Sequence, residues 1–300
     1  MMKLMRFACF MIVFLVVPFV AQAEEMHRLT SDVVNVQYPG PLGNVAREVI
    51  RLYPSVKKEL EDLFQVNITF TPTITLIKDR DDFQNIVGHA PVVALAVSGE
   101  DHIIIDNSRM KTYPFTLKVT LKHEVCHLVL HHIAGDGQLP RWFNEGIAQW
   151  TSDGIAEIIV GERKDLLGQA VLSKHLVPLG SLDTSLPADE HSLILAYQQS
   201  QSVINFISSE YGADAVVRTL KHVRNDCDID CALRKGIGLS LFELEQKWHA
   251  SLERKVTWFT YMSAYLYQIL FIFAALVLTG GFIRMMLMKR SYKDDEEDIS

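Results

Sequence analysis

From Trp258 to Ile283 the chain carries no charged residue. At about 1.5 Å per residue, a helix of that length reaches across a hydrocarbon core of about 30 Å, so the segment reads as a transmembrane helix. Trp258, Tyr261, Tyr265 and Tyr267 supply interfacial aromatics at its start, just after Arg254 and Lys255, and Arg284, Lys289, Arg290 and Lys293 follow its end. That excess of cations after the segment predicts a cytoplasmic C-terminus. The alternative, a helix buried in a soluble core, would have to run into the basic cluster by accident.

At the other end, Lys3 and Arg6 precede an apolar run from Phe7 to Val20, and Ala21, Gln22 and Ala23 give a small, polar, small pattern. Residues 1–23 therefore read as a signal peptide, with an uncleaved anchor as the alternative. Residues 24–252 remain for a domain whose core is large enough to need no staples. After export the cysteines are Cys126, Cys227 and Cys231, of which at most two can pair. An oxidising compartment permits a bridge between Cys227 and Cys231, but a four-residue helical spacing does not guarantee the bond geometry. The formal net charge of −7 is modest and includes the acidic run Asp294, Asp295, Glu296, Glu297 and Asp298, which suits a solvated cytoplasmic tail over residues 284–300. Nothing supports a nucleic-acid partner. The expected location is the cell (inner) membrane, single-pass, held through the one C-terminal helix at 258–283, with the domain extracytoplasmic or periplasmic.

Hydrophobic periodicity changes halfway along. Extended, β-branched runs at Val33 to Tyr38, Thr73 to Ile77, Val92 to Val97 and His102 to Ile105 flank a helical stretch from Leu42 to Leu63. After Pro114 the spacing is helical through Phe115 to Ile133, Trp142 to Thr151, Leu193 to Ser209, Ala213 to Val223 and Leu241 to Leu252. Strands followed by helices predict an α+β fold, with the site at the junction of the two halves.

At that junction His123, Glu124, Val125, Cys126 and His127 spell HExxH inside a helical pattern that stops at Gly135. Residues four apart stand one turn above each other, so both imidazoles can reach one ion. Glu124, one position on, points past the ion toward a water. Apolar residues surround the motif and leave Lys118 and Lys122 as the main solvated strip, and polar groups in so buried a helix need compensation, which a divalent cation provides. A hydrogen-bonded histidine pair is the plainer alternative. Pro140 suits the first turn of a second helix that carries Glu145 early, with Gly146 and Ala148 small enough for close approach to the first helix. Two histidines and a glutamate leave a fourth coordination position open, the catalytic arrangement.

With HEVCH followed 18 residues later by the glutamate of NEGIA, the chain resembles the gluzincin branch of the zincin metallopeptidases, and within it the peptidase MA-like proteins. The metzincin pattern fails, because Leu130 and Ile133 stand where its glycine and third histidine belong. The resemblance implies a zincin-like fold with an N-terminal mixed-sheet lobe, a C-terminal helical lobe and the active-site helix between them. It also implies one Zn2+ per chain on His123, His127 and Glu145, and hydrolysis of exported or membrane-proximal polypeptides with Glu124 as general base. For the oxyanion it points to a tyrosine or histidine, Tyr197 first and His191 in reserve. Where similar enzymes orient a histidine with an aspartate four residues after the ligand glutamate, this chain has Gln149, which can accept the same hydrogen bond without a charge.

Other polar residues have simpler readings. His131 and His132 fall in the last turn before Gly135 and suit helix capping. Cys126 points away from the shared face and reads as a packing residue. The run Asp226 to Cys231 lacks the glycine and terminal glutamate of a calcium loop and reads as an acidic helix start. A second functional class keeps the fold but makes the domain a non-catalytic binding or chaperone module, which would have no use for Glu124 as a base.

Overall fold

The computed structural model describes residues 25–88, 92–110, 115–135, 137–152, 166–187, 189–223 and 227–297, with side chains described for all of these except 256–264 and 287–297. The signal peptide expected at 1–23 lies outside them.

The fold is α+β. Strand β1 (Met26–Thr30) pairs antiparallel with β2 (Asn35–Pro39), and β2 lies parallel to β3 (Thr73–Ile77). Strand β3 is parallel to β5 (His102–Asp106), and β4 (Ala94–Val97) runs antiparallel to β5 on the outside, giving the order β1-β2-β3-β5-β4. The register sets Ile74 opposite Ile103 and Leu76 opposite Ile105, and the two-residue repeat sends all four side chains into the core. Between β3 and β4 lies the short helix α2 (Arg80–Val87). Arg80 donates to the Val92 carbonyl at 2.5 Å and pairs with the fully buried Asp106 at 3.1 Å, which fastens the run into β4 to the end of β5.

Two helices bring the sheet to the site. In α1 (Gly43–Phe64) the residues Ala46, Val49, Tyr53, Val56, Leu60 and Phe64 form one buried stripe at helical spacing. Against it packs α3 (Leu117–Ala134), opened by Thr116, whose hydroxyl accepts from the Val119 N–H, and closed by Gly135 at φ 60°, whose N–H donates to the His131 carbonyl. Every residue of α3 from His123 to Leu130 is buried. Lys118 and Lys122 form its wetter strip and pair with Glu59 of α1 at 2.8 and 2.9 Å, which holds the Glu59 carboxyl down at about 2.

The remaining described elements are helical: α4 (Arg141–Thr151), α5 (Leu166–Ser173), α6 (Glu190–Tyr211), α7 (Ala213–His222), α8 (Ile229–Ile237) and α9 (Leu241–Glu297). Cys227 and Cys231 form a disulfide at the start of α8, and Asp228 caps that helix by accepting from the Cys231 N–H at 2.8 Å. A single hydrophobic cluster runs from Val34 in the sheet half to Leu252 in α9. Leu244, Trp248 and Leu252 anchor α9 in that core, and the same unbroken helix continues through Tyr265–Met286, which is long and apolar enough to cross a membrane and buries none of its surface in the domain.

Candidate metal centre

His123 and His127 rise from one face of α3, a turn apart, and Glu145 reaches them from the second turn of α4. The two Nε2 atoms are 3.2 Å apart, and Glu145 Oε2 lies 3.6 Å from that of His127 and 3.9 Å from that of His123. All three residues are buried, and their ligand atoms lie within 4.8 Å of one another. A triangle with these sides has a circumradius of about 2.1 Å, which matches the ~2.0–2.2 Å bonds that zinc makes to imidazole nitrogen and carboxylate oxygen.

The electrostatics fit a cation. Burial, reinforced by the neighbouring His127, holds His123 well below the usual histidine range, with a partial offset from the Ala148 carbonyl, so its imidazole is neutral. Burial pushes the Glu145 carboxyl up to about 7, less a contribution from the Arg141 guanidinium. Glu145 Oε2 has no hydrogen-bond partner. A buried oxygen in that condition costs about 1–3 kcal/mol, more if charged, and a cation shared with the two imidazoles removes the cost.

Behind the three ligand atoms, His127 Nδ1 lies 2.7 Å from Asn144 Oδ1, and His123 Nδ1 lies 3.3 Å from Ser152 Oγ. Here the sequence-based expectation needs correction. Gln149, expected to orient a histidine, instead donates from Nε2 to the Tyr197 carbonyl at 3.2 Å. Sequence reasoning missed Ser152, although a signal existed: seven residues, or about two turns, separate it from Glu145, which puts both on one stripe of α4 and its end. Asn144 adjoins the ligand glutamate and was likewise passed over.

Gly146 also plays a different part. A Cβ there would stand 2.5 Å from the Ser200 carbonyl oxygen and 2.7 Å from Ile204 Cγ1, both on α6. The residue therefore permits close approach to α6 rather than to α3, because one step of about 100° around α4 turns it away from the face that bears Glu145.

Glu124 is fully buried on α3, and Cys126 is buried with its thiol pushed up to about 12 by burial, so it stays protonated. Tyr197 is buried on α6, tied through its carbonyl to α4, whereas His191 is exposed in the first turn of α6. His131 and His132 are exposed and lie outside the cluster: the His131 carbonyl receives the closing Gly135 N–H, and His132 stacks on Phe70 and pairs with Asp101 at 2.7 Å.

No curated protein matches the chain. A family model described as Peptidase MA superfamily matches residues 95–254, a range that takes in all but the first residue of the outer strand β4, the helices bearing all three ligand candidates, and the start of α9. The motif, the converging donor atoms and a match over more than half of the sequence lead to one conclusion: this chain belongs to the peptidase MA superfamily.

Proposed function

We propose that the chain is a gluzincin-type zinc peptidase, anchored by its C-terminal helix, that hydrolyses exported or membrane-proximal polypeptides. The observation that carries this reading is the convergence of two buried imidazole nitrogens and one unsatisfied carboxylate oxygen on a common centre.

His123, His127 and Glu145 would hold one zinc ion, which when bound supplies Lewis acidity toward a carbonyl oxygen and toward water. Glu124 takes a proton from the attacking water at its carboxylate and returns it to the departing amine nitrogen. Tyr197 donates a hydrogen bond to the carbonyl oxygen as charge develops there. The water oxygen ends on the carbonyl carbon and the C–N bond breaks. Strand β4 supports a polypeptide as substrate: it packs near α3, and no strand among the described residues pairs with its outer edge, so an extended peptide can add there through main-chain hydrogen bonds.

The disulfide favours an oxidising compartment for the domain, in keeping with a cleaved signal at 1–23, a domain at 24–252, a span at 258–283 and a cytoplasmic tail. The test is to purify the full chain in detergent, measure zinc by elemental analysis, and compare cleavage of an unfolded protein by the parent and Glu124→Gln. Both should carry one zinc per chain, and the variant should lose about 10²–10⁴-fold in rate. Zinc retained with equal cleavage, or with none by the parent, would favour a binding module instead. Glu145→Ala should lose the metal.

A further inference from the structure

We infer that Ser152 is a positioning residue for His123, and that it helps set the imidazole tautomer from which the proposed zinc site is built. The inference rests on that site reading.

Ser152 is buried just past the end of α4, and its Oγ has three neighbours: the Ala148 carbonyl at 2.7 Å, the Gln149 carbonyl at 3.4 Å and His123 Nδ1 at 3.3 Å. A hydroxyl has one proton and two lone pairs, and a carbonyl oxygen can only accept. The proton therefore goes to a carbonyl, and the geometry favours Ala148. What Oγ has left to offer Nδ1 is a lone pair. Nδ1 must carry the hydrogen and donate it, which leaves Nε2 unprotonated and facing Glu145 Oε2 and His127 Nε2. At His127 the amide oxygen of Asn144 imposes the same outcome, because Oδ1 also only accepts. Both rings are thus fixed as Nε2 ligands before any ion arrives, and the ordering that metal binding would otherwise demand is already in the fold.

The two supports differ in strength. Asn144 holds its ring at 2.7 Å, whereas Ser152 holds His123 at 3.3 Å with a neutral oxygen that is itself engaged with the backbone, and the Ala148 carbonyl, also a hydrogen-bond partner of His123, shares that support. His123 is therefore the more weakly braced ligand, and its support is where affinity is most easily lost.

The experiment measures zinc affinity of the full chain in detergent by competition with a chromophoric chelator, alongside thermal stability of the metal-free protein. The variants are Ser152→Ala, Ser152→Thr and Gln149→Met. Ser152→Ala should weaken zinc binding about tenfold or more, Ser152→Thr should recover most of that loss because it keeps the hydroxyl, and Gln149→Met should lower stability while leaving zinc affinity near the parent's. A purely structural role would make affinity follow stability in all three. The inference is overturned if Ser152→Ala binds zinc as tightly as the parent, or if Gln149→Met loses as much affinity as Ser152→Ala. A parent that binds no zinc would remove the site reading itself, an outcome distinct from either.

Discussion

Glu145 meets two opposed demands, since folding buries its carboxylate and metal binding needs it ionised. With its pKa raised from 4.5 to about 7 by burial, the metal-free folded state holds a proton that the unfolded chain has already released. Below about pH 4.5 both states are protonated and nothing is lost; as pH rises toward 7 a penalty grows, levelling off above that at roughly 3 kcal/mol. In chelator-treated protein, Glu145→Gln should match the parent near pH 4.5 and become progressively more stable than it up to about pH 7.5, as read by denaturant midpoints. A constant difference across that range would contradict the buried, unpaired carboxylate. At this scale the sequence was informative where chemistry is tied to fixed spacing. His123 and His127 share a face because α-helical geometry leaves no choice, and Glu145 follows from its place early in the next helix. Ser152 and Gln149 were not legible, because which polar group reaches an imidazole depends on how far α4 is rotated against α3, a matter of packing that sequence spacing alone does not settle.

Elements carry the second set of consequences. Helix α4 is wedged between α3 and α6, and its position is set on the α6 side by the absence of a side chain at Gly146. Gly146→Ala would place a methyl group 2.5 Å from a backbone oxygen, which a helix relieves only by moving. The expected cost is about 1–3 kcal/mol in urea denaturation, and zinc affinity should fall with it because Glu145 is the adjacent residue on the displaced helix. An unchanged affinity would mean that α4 yields at its far end instead. Helices α1, α4 and α7 were readable because they repeat apolar residues at the helical period, and β3, β5, α3 and α6 because their apolar runs have the length and residue type of a buried strand or helix. Strand β1 was not: its sequence MHRLT is mostly exposed and owes its extension to pairing with β2. Helix α2 buries only Phe83, and α5 is only eight residues long, too little for a periodic signal. The acidic start of α8 was visible in Asp228, but the disulfide beside it depended on backbone geometry.

For the whole molecule, the telling feature is that α9 belongs to two environments at once. Its first turns are buried in the core through Leu244, Trp248 and Leu252, and Tyr265–Met286 is the stretch suited to a membrane. The sequence indicated both ends of this arrangement but not their fusion, since the intervening residues fit a linker as well as a helix. With the proposed span 258–283 in a bilayer, the helix after Leu252 holds the domain about 9 Å from the span, at about 1.5 Å per residue. Adding seven helix-forming residues between 253 and 257 should move the cleavage point of a substrate anchored in the same bilayer outward by about 10 Å, or about three extended residues. Mapping the product ends by mass spectrometry checks this, and an unmoved cut would show that the stalk bends freely. An uninterrupted helix also fixes bearing as well as height: the flank of the span that points the same way as the metal centre is always the same one. A neighbouring protein drifting in the bilayer would therefore meet the metal centre only when it arrives along that flank, so compass direction becomes a filter on what the proposed peptidase cuts.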